Sequence, residues 1–426
     1  MCTIRKVISS SSSTRKVGED EDLLVEILIR LPGHRSAFRC KPVCRRWNSL
    51  ISAPYFLRRF VSHHQALSAA ESESPVLTVS QVRQLILSFL PSRPQIQSEF
   101  SVLDCINDLL LLGFQGRETD QELRRTYLIC NPFTKQWVAL PLAPVGSSSL
   151  GWIVKLVREP FDSLGEDQLF PCQFRVVRIY TPITPPASQA EVDVYIFCSR
   201  SGRWTKSVLR LDRELRCVCA YRVVSAHGKL YWLNYLQQLV KWDPSSPAAL
   251  PTLLDGCEID QRIRCYGLWV LEGVLHLVCK HWMDVDSILS IWRLEENGRG
   301  GSWRKQYEFT FPENVRFIVK NKDGREIEVS DLRFQRVIGL HHERSEVVFL
   351  SVFDVPHQES AILSWDMRNK EFKFLAYRDK GIRRFDFQAD QLFQPRVTFW
   401  PSSIPNHKKW RDTYNGSYNC WFSPSN

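Results

Sequence analysis

At 426 residues the chain is too long for one small domain and long enough to bury a large core. Charged residues make up 24% and apolar residues 44%, an ordinary globular composition that excludes collagenous and low-complexity classes. The net charge of +10 suits an acidic protein partner better than nucleic acid, because Lys and Arg are spread through strand-like segments instead of gathered in one block.

No run of 18 apolar residues occurs. The best candidate, Leu268 to Cys279, is short and contains Glu272, so no membrane contact is expected. The opening MCTIRKVISSSSSTRK lacks the apolar core of a signal peptide. Thirteen scattered cysteines then read as reduced thiols in a cytoplasmic or nuclear protein, where the sequon Asn415-Gly416-Ser417 carries no meaning. Residues 1–18, Ser-rich and basic, are expected to form a disordered tail.

From Glu21 the pattern becomes helical. Leu23, Leu24, Ile27, Leu28 and Leu31 predict one apolar stripe, with Glu21, Asp22, Glu26 and Arg30 on the other faces and Pro32-Gly33 as the stop. A second set follows at Ala37, Cys40, Val43, Cys44, Trp47, Leu50 and Ile51. Pro42 should divide that set, with a third helix starting near Val43. Three helices this short carry more apolar positions than they can bury among themselves. The module is therefore either a cap on the rest of the chain or a docking surface for a partner.

The ordered residues Asp22-Leu23-Leu24, Glu26-Ile27-Leu28, Arg30-Leu31-Pro32, Arg39 to Cys44, Arg46 to Ile51 and Pro54-Tyr55-Phe56 resemble an F-box. The resemblance implies binding to a Skp-type adaptor and, through it, to the cullin and RING subunits of an SCF-type ubiquitin ligase. It assigns the adaptor contact to Leu23, Leu24, Ile27, Leu28, Leu31, Pro32, Cys40, Pro42, Val43, Cys44, Trp47, Leu50 and Ile51. The family commonly has Leu-Pro where this chain has Glu19-Asp20, so a weaker adaptor contact is expected.

His63 to Ser74 is small and polar and reads as a linker; strand-like runs begin at about Pro75. The runs recur as hairpins: FSVLDCI, Asn107-Asp108, LLLL; YRVVSA, His227-Gly228-Lys229, LYWL; YGLWVL, Glu272-Gly273, VLHLV; VIGLHH, Glu343 to Glu346, VVFLSV. A third run ending in an aromatic or a turn follows in most units (YLICNP, LVKWDP, LSIWRL, ILSWDM), and a fourth often begins at an aromatic such as Trp137, Trp303 or Phe372. VYIFCSRSGRW supplies the last two runs of a further unit, and FIVKNKDGREIEV reads as an inserted hairpin turning at Asp323-Gly324. Four strands per unit, repeated at least five times, predicts a β-propeller, with the repeated aromatics filling the gaps between blades. A pair of β-sandwiches would supply the strands but not the recurring aromatics. CINDLLLL, ICNPFTKQWVALP and the W-D-P-type endings are similar to the F-box-associated domain common in plant F-box proteins, which implies a kelch-like propeller; that family often has Gly at the position of Asp108.

The expected architecture is thus α+β and multidomain, a three-helix F-box followed by an all-β, propeller-like domain. Its divisions are a tail (1–18), the F-box (19–62), linker and lead-in strands (63–98), the β domain (99–405) and a C-terminal tail (406–426). Catalytic residues, metal and cofactor are all expected to be none. Asn297 to Gly301 lacks a Lys-Ser/Thr partner and reads as a turn. The pairs His63-His64 and His341-His342 have no ligands at zinc spacing, and Cys217 and Cys219 alternate across a strand. Trp152, Trp282 and Trp400 are large aromatics in loop-like contexts, but the target-binding residues stay unknown. Two functions fit. One is a non-catalytic adaptor that brings a target protein to a ubiquitin ligase. The other is a propeller enzyme or carbohydrate-binding module with a helical extension, which leaves the spare apolar face of the helices unexplained.

Overall fold

The computed structural model describes residues 21–60 apart from a few positions, His63, residues 79–90, and the strands and tight turns between 100 and 377; the longer connections between strands and both chain ends lie outside the described residues. Among the described residues four helices are bounded: α1 (Glu21–Ile29), α2 (Gly33–Cys40), α3 (Arg45–Ser52) and α4 (Val79–Leu87), with a 3-10 turn over Lys41–Val43. The three helices expected at the N-terminus are present. Pro42 divides the second apolar set as its ring dictates, although α3 starts at Arg45 instead of Val43. Helix α4 is a correction to the expected lead-in strands. Val82, Ile86 and Leu90 recur at helical spacing, and all three side chains are buried.

Among the described residues twenty-two strands follow. Five antiparallel sheets of four strands each hold twenty of them. The first blade is β1 (Phe100–Ile106), β2 (Leu109–Phe114), β3 (Tyr127–Asn131) and β4 (Gln136–Ala139). The second is β5 (Trp152–Arg158), β6 (Phe174–Tyr180), β7 (Ala190–Cys198) and β8 (Arg203–Leu211). The third is β9 (Val224–Ala226), β10 (Lys229–Leu233), β11 (Leu239–Trp242) and β12 (Thr252–Leu253). The fourth is β13 (Ile263–Leu271), β14 (Val274–His281), β15 (Ile288–Asn297) and β16 (Gly300–Thr310). Between the fourth and fifth blades lies the separate hairpin β17 (Phe317–Lys320) and β18 (Glu326–Val329), which the sequence predicts. The fifth blade is β19 (Leu332–Leu340), β20 (Val347–Asp354), β21 (Glu359–Asp366) and β22 (Glu371–Tyr377).

Each sheet follows chain order from strand to strand, and first strands of successive blades touch: β1 with β5, β5 with β9, β9 with β13, β13 with β19. This is a five-bladed β-propeller. A sandwich is overturned by the same fact, since each sheet packs on the next in sequence instead of facing one opposite sheet.

The run Leu109 to Leu112 shows why. Leu109 and Leu111 point to the second blade, beside Leu156, Phe174 and Val176. Leu110 and Leu112 point the other way, where Val82, Ile86 and Leu90 of the α4 segment cover them. Both faces of a central blade strand are buried, so the run is continuously apolar instead of alternating. Between blades four and five the aromatics interlock. Phe309 meets Trp365 edge-on at 4.3 Å between ring centres, and Trp365 stacks on Phe372 at 4.7 Å.

The third strand of most blades ends in a residue that organises the next turn. Asp243 accepts from the Ser245 backbone N–H at 2.8 Å. Asp366 accepts from the N–H groups of Arg368 and Asn369 at 3.0 and 3.1 Å and also pairs with Arg344. The Trp of each W-D pair, Trp242 or Trp365, is buried between blades while its Asp closes the turn. In the first blade Asn131 takes that place and donates to Asp108 Oδ2 at 2.8 Å. Asp108 is therefore a buried side chain, not an exposed turn tip. In the second blade the Ser199 hydroxyl accepts from Phe174 N–H at 2.9 Å.

First-to-second-strand turns meet across blades as well. His227 Nε2 donates to Gly273 O at 2.8 Å, so Nε2 carries the proton. Gly273 has φ +81 and a Cβ there would lie 3.1 Å from the His227 ring, which only glycine satisfies without strain. At the end of the β15–β16 hairpin Asn297 pairs with Gly300, and the expected turn residues Gly298 and Arg299 lie outside the described residues.

Candidate functional site

The candidate site is the helical module. Acidic residues open α1, where the helix dipole favours them. Cys44 caps α3: its extended backbone lets Sγ accept from Trp47 N–H at 3.4 Å. Tertiary hydrogen bonds then tie α1 to the segment after α3. Tyr55 Oη donates to Glu21 Oε1 at 2.9 Å, and Glu26 pairs with Arg59 and, at 3.4 Å, with Arg30. Desolvation, reinforced by the Glu21 carboxylate, pushes the Tyr55 phenol up to about 12. The phenol is protonated and donating across the physiological range.

The module closes a core of its own. Leu24, Val25, Leu28, Ile29, Ala37, Leu50, Ile51, Phe56 and Phe60 are buried together, and no propeller residue belongs to this cluster. The thirteen residues assigned to adaptor contact therefore divide. Leu24, Leu28, Leu50 and Ile51 are interior. Leu31, Cys40 and Trp47 are half-buried against the core. Leu23, Ile27, Pro42, Val43 and Cys44 face outward, with Leu23 47%, Ile27 49% and Val43 61% exposed. Pro32 lies outside the residues whose side chains are described, as do Glu19 and Asp20.

The single stripe expected on α1 is thus two faces. Val25 and Ile29, absent from that stripe, join Leu24 and Leu28 inside, while Leu23 and Ile27 turn out. The missed signal is the pair of i, i+4 ladders, Leu24–Leu28 and Val25–Ile29, side by side on one helical face. Arg39, Arg45 and Arg46 of the module are exposed, and burial lowers the Lys41 amine from its usual value.

In the propeller, Trp152 begins β5 instead of lying in a loop; Trp282 and Trp400 fall outside the described residues. The Arg178 guanidinium stacks over Trp152 at 4.2 Å and also faces Tyr127 and Tyr195, and Arg178 Nη1 donates to Pro144 O at 3.1 Å. This buried cation–aromatic cluster joins the first two blades and was not legible from spacing. Among the described residues, no group of three His, Cys, Asp or Glu side chains could hold a metal ion. His341 is buried against Phe349, with 6.0 Å between ring centres.

Residues 78–246 match the family described as F-box protein At3g26010-like, beta-propeller. The chain is 23% identical to the F-box/kelch-repeat protein At1g15680 of Arabidopsis thaliana, over 93% of this chain and 96% of that protein. It is 26% identical to F-box protein At5g49610 of the same plant, over 50% of this chain and 57% of the relative. F-box protein At3g26010 is 27% identical over 47% of this chain and 46% of its own length. Among solved structures, an oligogalacturonate lyase in complex with manganese superposes with a TM-score of 0.36 at 9% identity, covering 66% of this chain and 65% of that one. With its short N-terminal helices and its five four-stranded blades, the chain is similar to plant F-box proteins, and part of it matches the β-propeller domain of that kind.

Proposed function

We propose that this protein is the substrate-recognition subunit of an SCF-type ubiquitin ligase. The helical module binds a Skp-type adaptor, which connects it to cullin and RING subunits, and the propeller captures the protein to be ubiquitinated. The observation that carries the reading is the exposure of Leu23, Ile27 and Val43 on a module whose own core is already closed by other residues. Apolar side chains left outside a completed core are what a partner interface needs. The other reading, a propeller enzyme or sugar-binding module, gives those residues no role. The protein itself carries out no catalysis, works in the cytoplasm or nucleus, and binds neither nucleic acid nor membrane.

The test is co-purification with a Skp-type adaptor. Replacing Leu23 and Ile27 together with Asp should reduce binding by at least tenfold while circular dichroism of the chain stays unchanged, since neither side chain supports the core. Undiminished binding by the folded double variant would overturn the assignment of this face.

A further inference from the structure

The structure carries an unused pair of thiols in the fourth blade. Cys265 on β13 and Cys279 on β14 are direct partners across the two strands, 14 residues apart in sequence. Their Sγ atoms are 3.4 Å apart and both residues are buried. Cys265 N–H donates to Gln237 Oε1 at 3.0 Å, in the neighbouring blade, and so not across the strand pair. That is the kind of antiparallel site at which facing side chains come closest. The register breaks between Cys265 and Gly267, so the strand is locally bent beside the pair.

We propose that Cys265 and Cys279 are a peroxide-oxidisable dithiol that closes to a cross-strand disulfide. A disulfide needs the sulfurs at about 2.05 Å and the Cα atoms within about 4.4–6.8 Å, and directly facing strand residues meet the second condition already. The remaining approach of the sulfurs is a side-chain adjustment. Cys105 and Cys130, by contrast, sit on β1 and β3, separated by β2.

The reaction balances with hydrogen peroxide as the two-electron oxidant. The Cys265 sulfur, as thiolate, attacks the peroxide O–O bond, becomes a sulfenic acid and releases hydroxide, which takes up a proton to become water. The second sulfur attacks the sulfenic sulfur, the S–S bond forms, and a second water leaves. Two thiols lose two electrons and two protons, and one peroxide becomes two waters. Burial among Tyr231, Leu233, Leu239, Leu268 and Leu277 keeps the pair reduced at rest, because desolvation, followed by the facing Cys265, holds the Cys279 thiol well above its ordinary value. Attack therefore waits on deprotonation and proceeds slowly. The consequence is local: the linkage would lock the β13–β14 hairpin on which Gln237, and with it the Asn234–Gln238 loop of the third blade, is hung.

The experiment oxidises the full-length chain with hydrogen peroxide, unfolds it, alkylates the remaining thiols and maps each cysteine by peptide mass spectrometry. Cys265 and Cys279 should lose alkylation together, appear as one linked peptide two hydrogens lighter, and return on treatment with dithiothreitol. The oxidised wild type should melt at a higher temperature than the reduced protein, whereas peroxide should not raise the Tm of Cys265→Ser and Cys279 should stay alkylatable in that variant. Retention of both labels after prolonged peroxide treatment, well past complete oxidation of the exposed Cys44, would overturn the proposal, and so would loss of one label with the other retained. The wild-type mapping decides the matter even if the variant folds poorly.

Discussion

At the scale of single residues, burial separates side chains that hold the module together from those it offers. Leu28 has essentially no exposed surface and lies in the middle of the helical core. Leu28→Ala should cost about 2–5 kcal/mol of module stability, measured by denaturant unfolding of the helices, with any loss of adaptor binding following from that. Ile27→Ala, half exposed, should leave stability within about 0.5 kcal/mol and weaken only the adaptor contact, read by titration calorimetry. Equal stability losses in the two variants would contradict the two-faced helix. In the propeller, Asn131 holds the buried Asp108 carboxyl. Removing one partner leaves a buried acceptor short of a donor, so Asn131→Ala should destabilise the first blade by about 1–3 kcal/mol in urea unfolding.

Elements show the same logic in the turns. Asp366 has competing influences. Burial pushes its carboxyl up, but the Asn369 N–H, the Arg344 guanidinium and the Arg368 N–H together outweigh it and lower it below its ordinary value. A carboxyl lowered on folding contributes stability that is fully present above its unfolded value, near 3.9, and is lost as pH falls through the lower folded value. Asp366→Asn should therefore lower the urea midpoint near pH 7, and the gap to wild type should narrow as pH falls below about 4. A gap constant from pH 7 to pH 2 would show that the carboxylate charge is not what closes this turn. Helix α4 is the other telling element. Its segment covers the face of the first blade formed by Phe100, Val102, Leu110 and Leu112. Val82→Asp with Ile86→Asp should uncover that face, visible as increased binding of a hydrophobic dye and reduced solubility of the whole chain.

For the whole molecule, the helical cluster and the five clusters of the propeller region share no residue among those described. The helical module has its own cluster, and the blades are joined to one another by the aromatic and aliphatic side chains between them. The Arg178 cluster shows how the blades are held: one guanidinium lies within reach of Tyr127 in the first blade and of Trp152 and Tyr195 in the second.

Hydrophobic period and turn chemistry are local, and what they govern could be read from the sequence alone. The helix break between Ile29 and Gly33, the division at Pro42, the four-strand repeat, the W-D turns and the β17–β18 hairpin all follow from residues within a few positions of one another. The F-box resemblance likewise rests on an ordered local string of residues. Which of Leu23, Leu24, Val25, Ile27, Leu28 and Ile29 point inward was decided by where α2, α3 and Phe56 pack on α1, because six apolar residues in seven positions leave the face of a helix undetermined. The blade count also depended on the fold. The segment before VYIFCSRSGRW became a hairpin through the pairing of Trp152 with Tyr180 and of Arg158 with Phe174, across a connection too long for turn chemistry to specify. Helix α4, the Asp108–Asn131 bond, the Arg178 cluster and the facing thiols of Cys265 and Cys279 likewise depend on residues brought together from separate elements. Distance along the chain carries no information about such encounters, and the packing of one blade on the next supplies it.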